Sequence, residues 1–124
     1  MADGSGKARI LVVEDDVDVR GSLVELLAQS GYEVFEAADG AAARMLLTEH
    51  DVDLMTLDLR LPVMSGPELL ASLPKPPPVI VFSAFSYFDQ AAVQERFSGK
   101  VSALLRKPST PESLLAAVAQ AVAS

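Results

Sequence analysis

An α/β fold built on a parallel sheet is predicted by three observations. Short, nearly all-apolar runs alternate along the chain with stretches whose apolar residues recur at helical spacing. Those runs lack the in-out alternation of a half-exposed strand, as expected when helices cover both faces of a sheet. Three of them also run directly into charged residues, where the strand ends of an open α/β sheet collect ligands. Ile10-Leu11-Val12-Val13 leads into Glu14-Asp15-Asp16, Val52-Asp53-Leu54-Met55-Thr56-Leu57 into Asp58, and Val101-Ser102-Ala103-Leu104-Leu105 into Arg106-Lys107-Pro108.

The elements follow in order. A first strand is predicted over Arg9 to Val13, then a helix from about Val17 to Gln29 with Val19, Leu23, Leu26 and Leu27 on one face. Ser30-Gly31 ends it, the glycine suited to the left-handed position past a helix end. Tyr32 to Ala37 reads as the second strand, and Asp39-Gly40 opens a second helix through Glu49 with Ala43, Leu46 and Leu47 apolar. The third strand is Leu54 to Asp58. Pro67 suits the first position of a short helix reaching about Leu73. Pro74-Lys75-Pro76-Pro77-Pro78 then forces a stiff, extended connection into a fourth strand, Val79 to Phe82, that ends at Ser83. A fourth helix over about Asp89 to Phe97, a fifth strand from Val101 to Leu105, and a helix capped by Thr110 and running from Pro111 complete five strand–helix pairs without a repeat.

The composition bounds what such a chain can do. Its 124 residues, half of them hydrophobic, are enough for one domain that buries roughly two-thirds of its unfolded surface. Without cysteine there is neither a disulfide framework nor a thiolate metal site. Residues 1–7 are polar and read as a flexible segment ahead of a domain spanning 8–124; no signal peptide or membrane span is evident, so a cytoplasmic protein is expected. A net charge of −7 disfavours non-specific nucleic-acid binding and favours a metal cation wherever acids converge.

Asp58 is the focus of that convergence. A carboxylate at the end of a buried strand is poorly placed for packing and well placed for chemistry. Asp16 reads chiefly as the cap of the first helix, where a short acidic side chain accepts from exposed amides. Glu14 and Asp15 are candidate metal ligands, with a solvated turn as their plain reading. Lys107 could be an ordinary surface lysine, and Ser83 could merely satisfy nearby backbone. His50 falls at the end of the second helix, where a cation suits the dipole, and is not expected to be a ligand.

Taken together, Glu14-Asp15, Asp58 with Pro62 and Gly66 beyond it, Ser83-Ala84 and Lys107-Pro108 resemble the receiver domain of two-component response regulators. The likeness extends from Ala8 to Ser124. It implies a doubly wound, flavodoxin/CheY-like sheet in the order 2-1-3-4-5 with five helices. It also implies Mg²⁺-dependent transfer of a phosphoryl group to Asp58 from a phosphohistidine on a sensor histidine kinase or histidine phosphotransfer protein. Asp15 and Asp58 would bind Mg²⁺ directly, Glu14 through water, and the Arg60 backbone carbonyl would complete the protein's share. Lys107 and Ser83 would each meet a phosphoryl oxygen, and the bond before Pro108 would be cis. Such a domain catalyses only its own phosphorylation and dephosphorylation and is not a turnover enzyme. A monomer or weak dimer is expected, either standing alone or part of a larger protein.

One position departs from the pattern. Three residues before the lysine the family carries Tyr or Phe, whose ring follows the Ser/Thr hydroxyl inward; here the residue is Leu104. Phe85, Tyr87 and Phe88 crowd the segment after Ser83, and one of them is the expected moving part. Arg60 and Phe85 occupy positions that, in the family, influence attack of water on the acyl phosphate. Leu104 keeps open a second reading, a receiver-like interaction module without a phosphorylation switch. An aspartyl phosphatase would want a second acid where Arg60 stands, and a flavin-binding module would want Ser, Thr or Gly where the first strand meets acids.

Overall fold

The computed structural model describes residues 7–84, 87–97 and 99–123. Residues 1–6 of the expected flexible segment, and Phe85, lie outside the described residues. The chain runs β1 (Arg9–Val13), α1 (Val17–Gln29), β2 (Glu33–Ala37), α2 (Gly40–Glu49), β3 (Leu54–Leu57), α3 (Gly66–Ser72), β4 (Val79–Ser83), α4 (Tyr87–Arg96), β5 (Val101–Arg106) and α5 (Pro111–Ala123). All four strand pairings are parallel, and the sheet order is β2-β1-β3-β4-β5, as expected.

Alternate residues of the central strands divide the core into two. Leu11 and Val13, Met55 and Leu57, and Val79 and Val81 pack with Ala43, Leu69, Leu70, Val93 and Phe97 beneath α2, α3 and α4. Ile10, Val12, Leu54, Ile80 and Phe82 face the other way, onto Leu23 and Leu27 of α1 and Leu114, Val118 and Ala121 of α5. Each fully buried large aliphatic side chain contributes about 1.5–3 kcal/mol, so continuously apolar strands are what two covered faces require.

The element ends follow local chemistry. Asp16 caps α1, its carboxylate accepting from the amides of Asp18 and Val19 at 3.0 Å each. Gly31 takes φ +97° just past the Ser30 cap, a conformation that β-carbon-bearing residues rarely adopt. The start of α3 differs from expectation by one position. Ser65 and Glu68 form a reciprocal capping box there, which makes Gly66 the first helical residue and Pro67 the second. Likewise α4 begins at Tyr87, two residues early; β3 stops at Leu57, and β5 continues to Arg106. His50 caps the end of α2 with its ring stacked on Phe35, centroids 4.3 Å apart.

β5 carries one irregularity. Val79 pairs with Val101 but Ile80 pairs with Ala103, so Ser102 is an extra residue, a bulge. Beyond it the register runs evenly to Ser83 opposite Arg106. Among the described residues, no helix is long and apolar enough to cross a membrane.

Candidate functional site

The carboxyl ends of β1, β3, β4 and β5 bring the predicted site residues together. Glu14, Asp58 and Lys107 each stand one residue past a strand, and Ser83 closes β4. Each of the three is still anchored by the sheet ladder. The Glu14 amide donates to the Ala37 carbonyl at 3.0 Å, Asp58 to Val13 at 3.1 Å, and Lys107 to Ser83 at 3.0 Å. Sheet register therefore sets the relative positions of the functional backbone.

Asp58 is 7% exposed and both its oxygens accept hydrogen bonds. Oδ1 accepts from the Ser83 hydroxyl at 2.7 Å and the Arg60 amide at 2.9 Å. Oδ2 accepts from the Lys107 ammonium at 2.9 Å. The same ammonium donates to Glu14 Oε1, and Glu14 Oε2 accepts from the Asp16 amide at 3.2 Å. Ser83, fully buried, takes the Leu59 amide on its own oxygen at 3.3 Å. Lys107 also lies 5.5 Å from the centre of the Phe82 ring, and its bond to Pro108 is cis, as the resemblance implies.

These contacts pull the ionisable groups in different directions. Burial opposes ionisation of Asp58, but the Arg60 amide, the Ser83 hydroxyl and Lys107 outweigh it and hold the carboxyl below its ordinary value. For Glu14 burial prevails over the same lysine, and its carboxyl is pushed up. Burial works against the charge on Lys107 too, yet its two carboxylate partners hold the ammonium above the ordinary lysine value.

Ligand atoms of Glu14, Asp15 and Asp58 all lie within 4.8 Å of one another, with Asp15 exposed and the other two buried. The donor set fits a hard divalent cation. It offers only oxygen, and three carboxylates against one lysine leave two negative charges to be matched. What Arg60 visibly brings to Asp58 is its amide rather than its carbonyl.

Leu104, opposite Val81, packs half-buried against the core beneath α2–α4. It also lines a groove of about 440 Å³ with Gln90, Gln94, Phe97 and Ser102. A smaller hollow of about 200 Å³ adjoins Ser83, bounded by Leu59, Arg60, Ser65, Pro67, Ala92 and Val93.

One residue of this region was not picked out from the sequence. Arg20 of α1 donates from Nη1 to the Glu14 carbonyl at 2.8 Å and the Asp15 carbonyl at 3.5 Å, and from Nε to Glu36 at 3.0 Å. A signal for it exists. A cation in the first turns of a helix is poorly placed for the dipole unless something else employs it.

A doubly wound sheet with a buried aspartate, two neighbouring acids and a bridging lysine defines an α/β protein organised around an acidic centre. Residues 10–119 match the response regulator receiver domain family, and the chain belongs to it. Among curated relatives it is similar to the transcriptional regulatory protein PrrA of Mycobacterium bovis, 41% identical over 92 residues, covering 72% of this chain and 40% of PrrA. It is also similar to the transcriptional regulatory protein PdtaR of Mycobacterium tuberculosis, 32% identical over 124 residues, covering 98% of this chain and 60% of PdtaR. The chain thus spans about half the length of these relatives. Among solved structures, a CheY-like receiver domain protein from Methanospirillum hungatei superposes with TM-score 0.85 at 26% identity, covering 95% of each chain. The response regulator TrrA from Thermotoga maritima, solved in complex with Mg(2+)-BeF, gives TM-score 0.80 at 26% identity, covering 92% of this chain and 98% of that one.

Proposed function

We propose that this receiver domain is a phosphorylation switch with Asp58 as phosphoacceptor. The observation that carries the reading is the enclosure of one buried carboxylate by Lys107, Ser83 and the Arg60 amide, directly beside Glu14 and Asp15. Phosphoryl transfer to a carboxylate needs a positioned oxygen nucleophile and neutralisation of charge on the transferred group. Asp58, held ionised by its donors, supplies the oxygen. An O–P bond forms to it as the N–P bond of a phosphohistidine breaks, and the departing imidazole takes up a proton. Lys107 and Ser83 transfer their hydrogen bonds from Asp58 to phosphoryl oxygens. Glu14, Asp15, Asp58 and the Arg60 carbonyl are the groups that would hold Mg²⁺, which when bound neutralises phosphoryl charge. The Mg(2+)-BeF complex of TrrA supports that choice of cation.

The phosphodonor is a sensor histidine kinase or a histidine phosphotransfer protein, and the domain's own chemistry is limited to gaining and losing the phosphoryl group. Leu104 makes the readout atypical. With no ring at that position, the response passes through the segment following Ser83; Ser83 itself borders the hollow against Ala92 and Val93, which leaves its hydroxyl room for adjustment. Whether Phe85 shields the acyl phosphate is tested by comparing dephosphorylation of the native protein with Phe85→Ala.

Incubation with acetyl phosphate and Mg²⁺ tests the switch. The expected result is a mass gain of one phosphoryl group that Asp58→Asn abolishes. No gain in the native protein would favour the alternative, an interaction module. Amide signals of residues 83–90 left unshifted by beryllofluoride would rule out the proposed readout.

A further inference from the structure

We infer that Arg20 is a positioning residue for the metal-binding acids, acting through their backbone rather than their carboxylates. The inference rests on the Mg²⁺ site proposed above. Lys107 reaches the carboxylates of Glu14 and Asp58, and the Arg60 and Asp16 amides reach those of Asp58 and Glu14. Arg20 differs. Its Nη1 lies 2.8 Å from the Glu14 carbonyl oxygen and 3.5 Å from that of Asp15, so it grips the two peptide units that orient both acids. Its Nε is held 3.0 Å from Glu36, on the strand next to β1. The Arg20 side chain is only 17% exposed.

The arrangement is a brace with two ends. Glu36 belongs to β2 and Arg20 to α1, so the β1–α1 turn carrying Glu14 and Asp15 is tied to the sheet by a planar group with several fixed donors. Asp15 is exposed, and freedom in its peptide would translate directly into misplacement of a ligand oxygen. Partners that orient ligands without touching the metal are worth about 10–100-fold in metal affinity.

Charge and geometry predict opposite signs here, which makes the test decisive. A positive side chain near a cation site repels the cation, so on electrostatics alone Arg20→Ala would tighten Mg²⁺ binding. Positioning predicts weaker binding. Arg20→Lys retains the charge but is a compact donor that cannot span both a carbonyl and Glu36. Glu36→Gln keeps an oxygen acceptor for Nε.

The experiment is a Mg²⁺ titration of the full chain and the three variants, followed by amide chemical shifts, with thermal melts run alongside. The expected result is about a 10-fold rise in Mg²⁺ Kd for Arg20→Ala, a rise of similar direction for Arg20→Lys, and a change within about twofold for Glu36→Gln. A purely structural role would lower the melting temperature and leave the Kd of the folded protein unchanged. Unchanged or tighter binding by Arg20→Ala, or native affinity in Arg20→Lys, overturns the inference while leaving the metal site standing. Failure of the native protein to bind Mg²⁺ overturns both. Should Arg20→Ala fail to fold, Arg20→Lys carries the test by the same criterion.

Discussion

Gly66 lies so close to Asp58 that a β-carbon on it would stand 2.7 Å from the Asp58 carbonyl oxygen and 2.9 Å from the Leu59 α-carbon. Both neighbours are backbone, so neither can swing aside. The Gly66 amide meanwhile donates to the Leu59 carbonyl at 3.1 Å. The first turn of α3 is thus pressed against the loop that presents the proposed phosphoacceptor. Gly66→Ala should destabilise the fold by about 2 kcal/mol, the scale of a steric insertion into a packed site. It should also slow phosphorylation of Asp58. Denaturant melts and acetyl phosphate kinetics check the two effects separately.

Val63 presents the reverse case. It adopts φ +67° while 83% exposed. A β-branched residue in the left-handed region is strained by about 1–2 kcal/mol, and little packing offsets that here. Val63→Asn should raise stability by about 1 kcal/mol, visible as a higher melting temperature. A lower melting temperature would mean that the valine makes contacts its exposure does not suggest.

Ser83 both accepts from the Leu59 amide and donates to Asp58. Ser83→Ala leaves that amide without its hydroxyl partner and strips one donor from the carboxylate, at a cost of about 1–2 kcal/mol. The Asp58 pKa should rise toward the ordinary value, since one of the groups holding it down is gone. Carboxyl carbon NMR titration measures this directly; an unmoved titration would remove Ser83 from the causes.

Stability against pH should show different behaviour at its two ends. Asp58, with its folded pKa lowered from 3.8, contributes stability that is present above that value and lost as pH falls through the folded pKa. Glu14, raised from 4.5, works in the opposite sense: its ionisation opposes folding, and that penalty is relieved as pH falls to 4.5, before the Asp58 loss begins below 3.8. Lys107, raised from 10.5, contributes stability that is complete below 10.5 and lost as pH rises through its folded pKa. Lys107→Met should therefore lower stability at neutral pH by about 2 kcal/mol and flatten the alkaline decline. Chemical denaturation of both proteins from pH 7 to 11 checks it.

Much of this molecule was legible from its residues. Continuous apolar strands demanded two covered faces, and acids directly after such strands demanded a shared edge; both requirements depend on pattern, which a sequence carries openly. Asp16 as a cap and Gly31 past the end of α1 were equally plain, because each is a local choice. Arg20 was not, since its partners are two carbonyls and a glutamate on another strand, and carbonyls have no residue signature. The strain at Val63 and the bulge at Ser102 escaped for a similar reason. Each arises from how neighbouring segments meet, not from the residue's own preference.

The bulge in β5 bears on where the lysine ends up. Val101 and Ala103 meet adjacent residues of β4, Val79 and Ile80, with Ser102 the extra residue between them. Removing that one residue would either move Lys107 a position along β4 or break the pairing at Val101. The aim of the ammonium on Asp58 and Glu14 is in that sense set five residues upstream of the lysine itself.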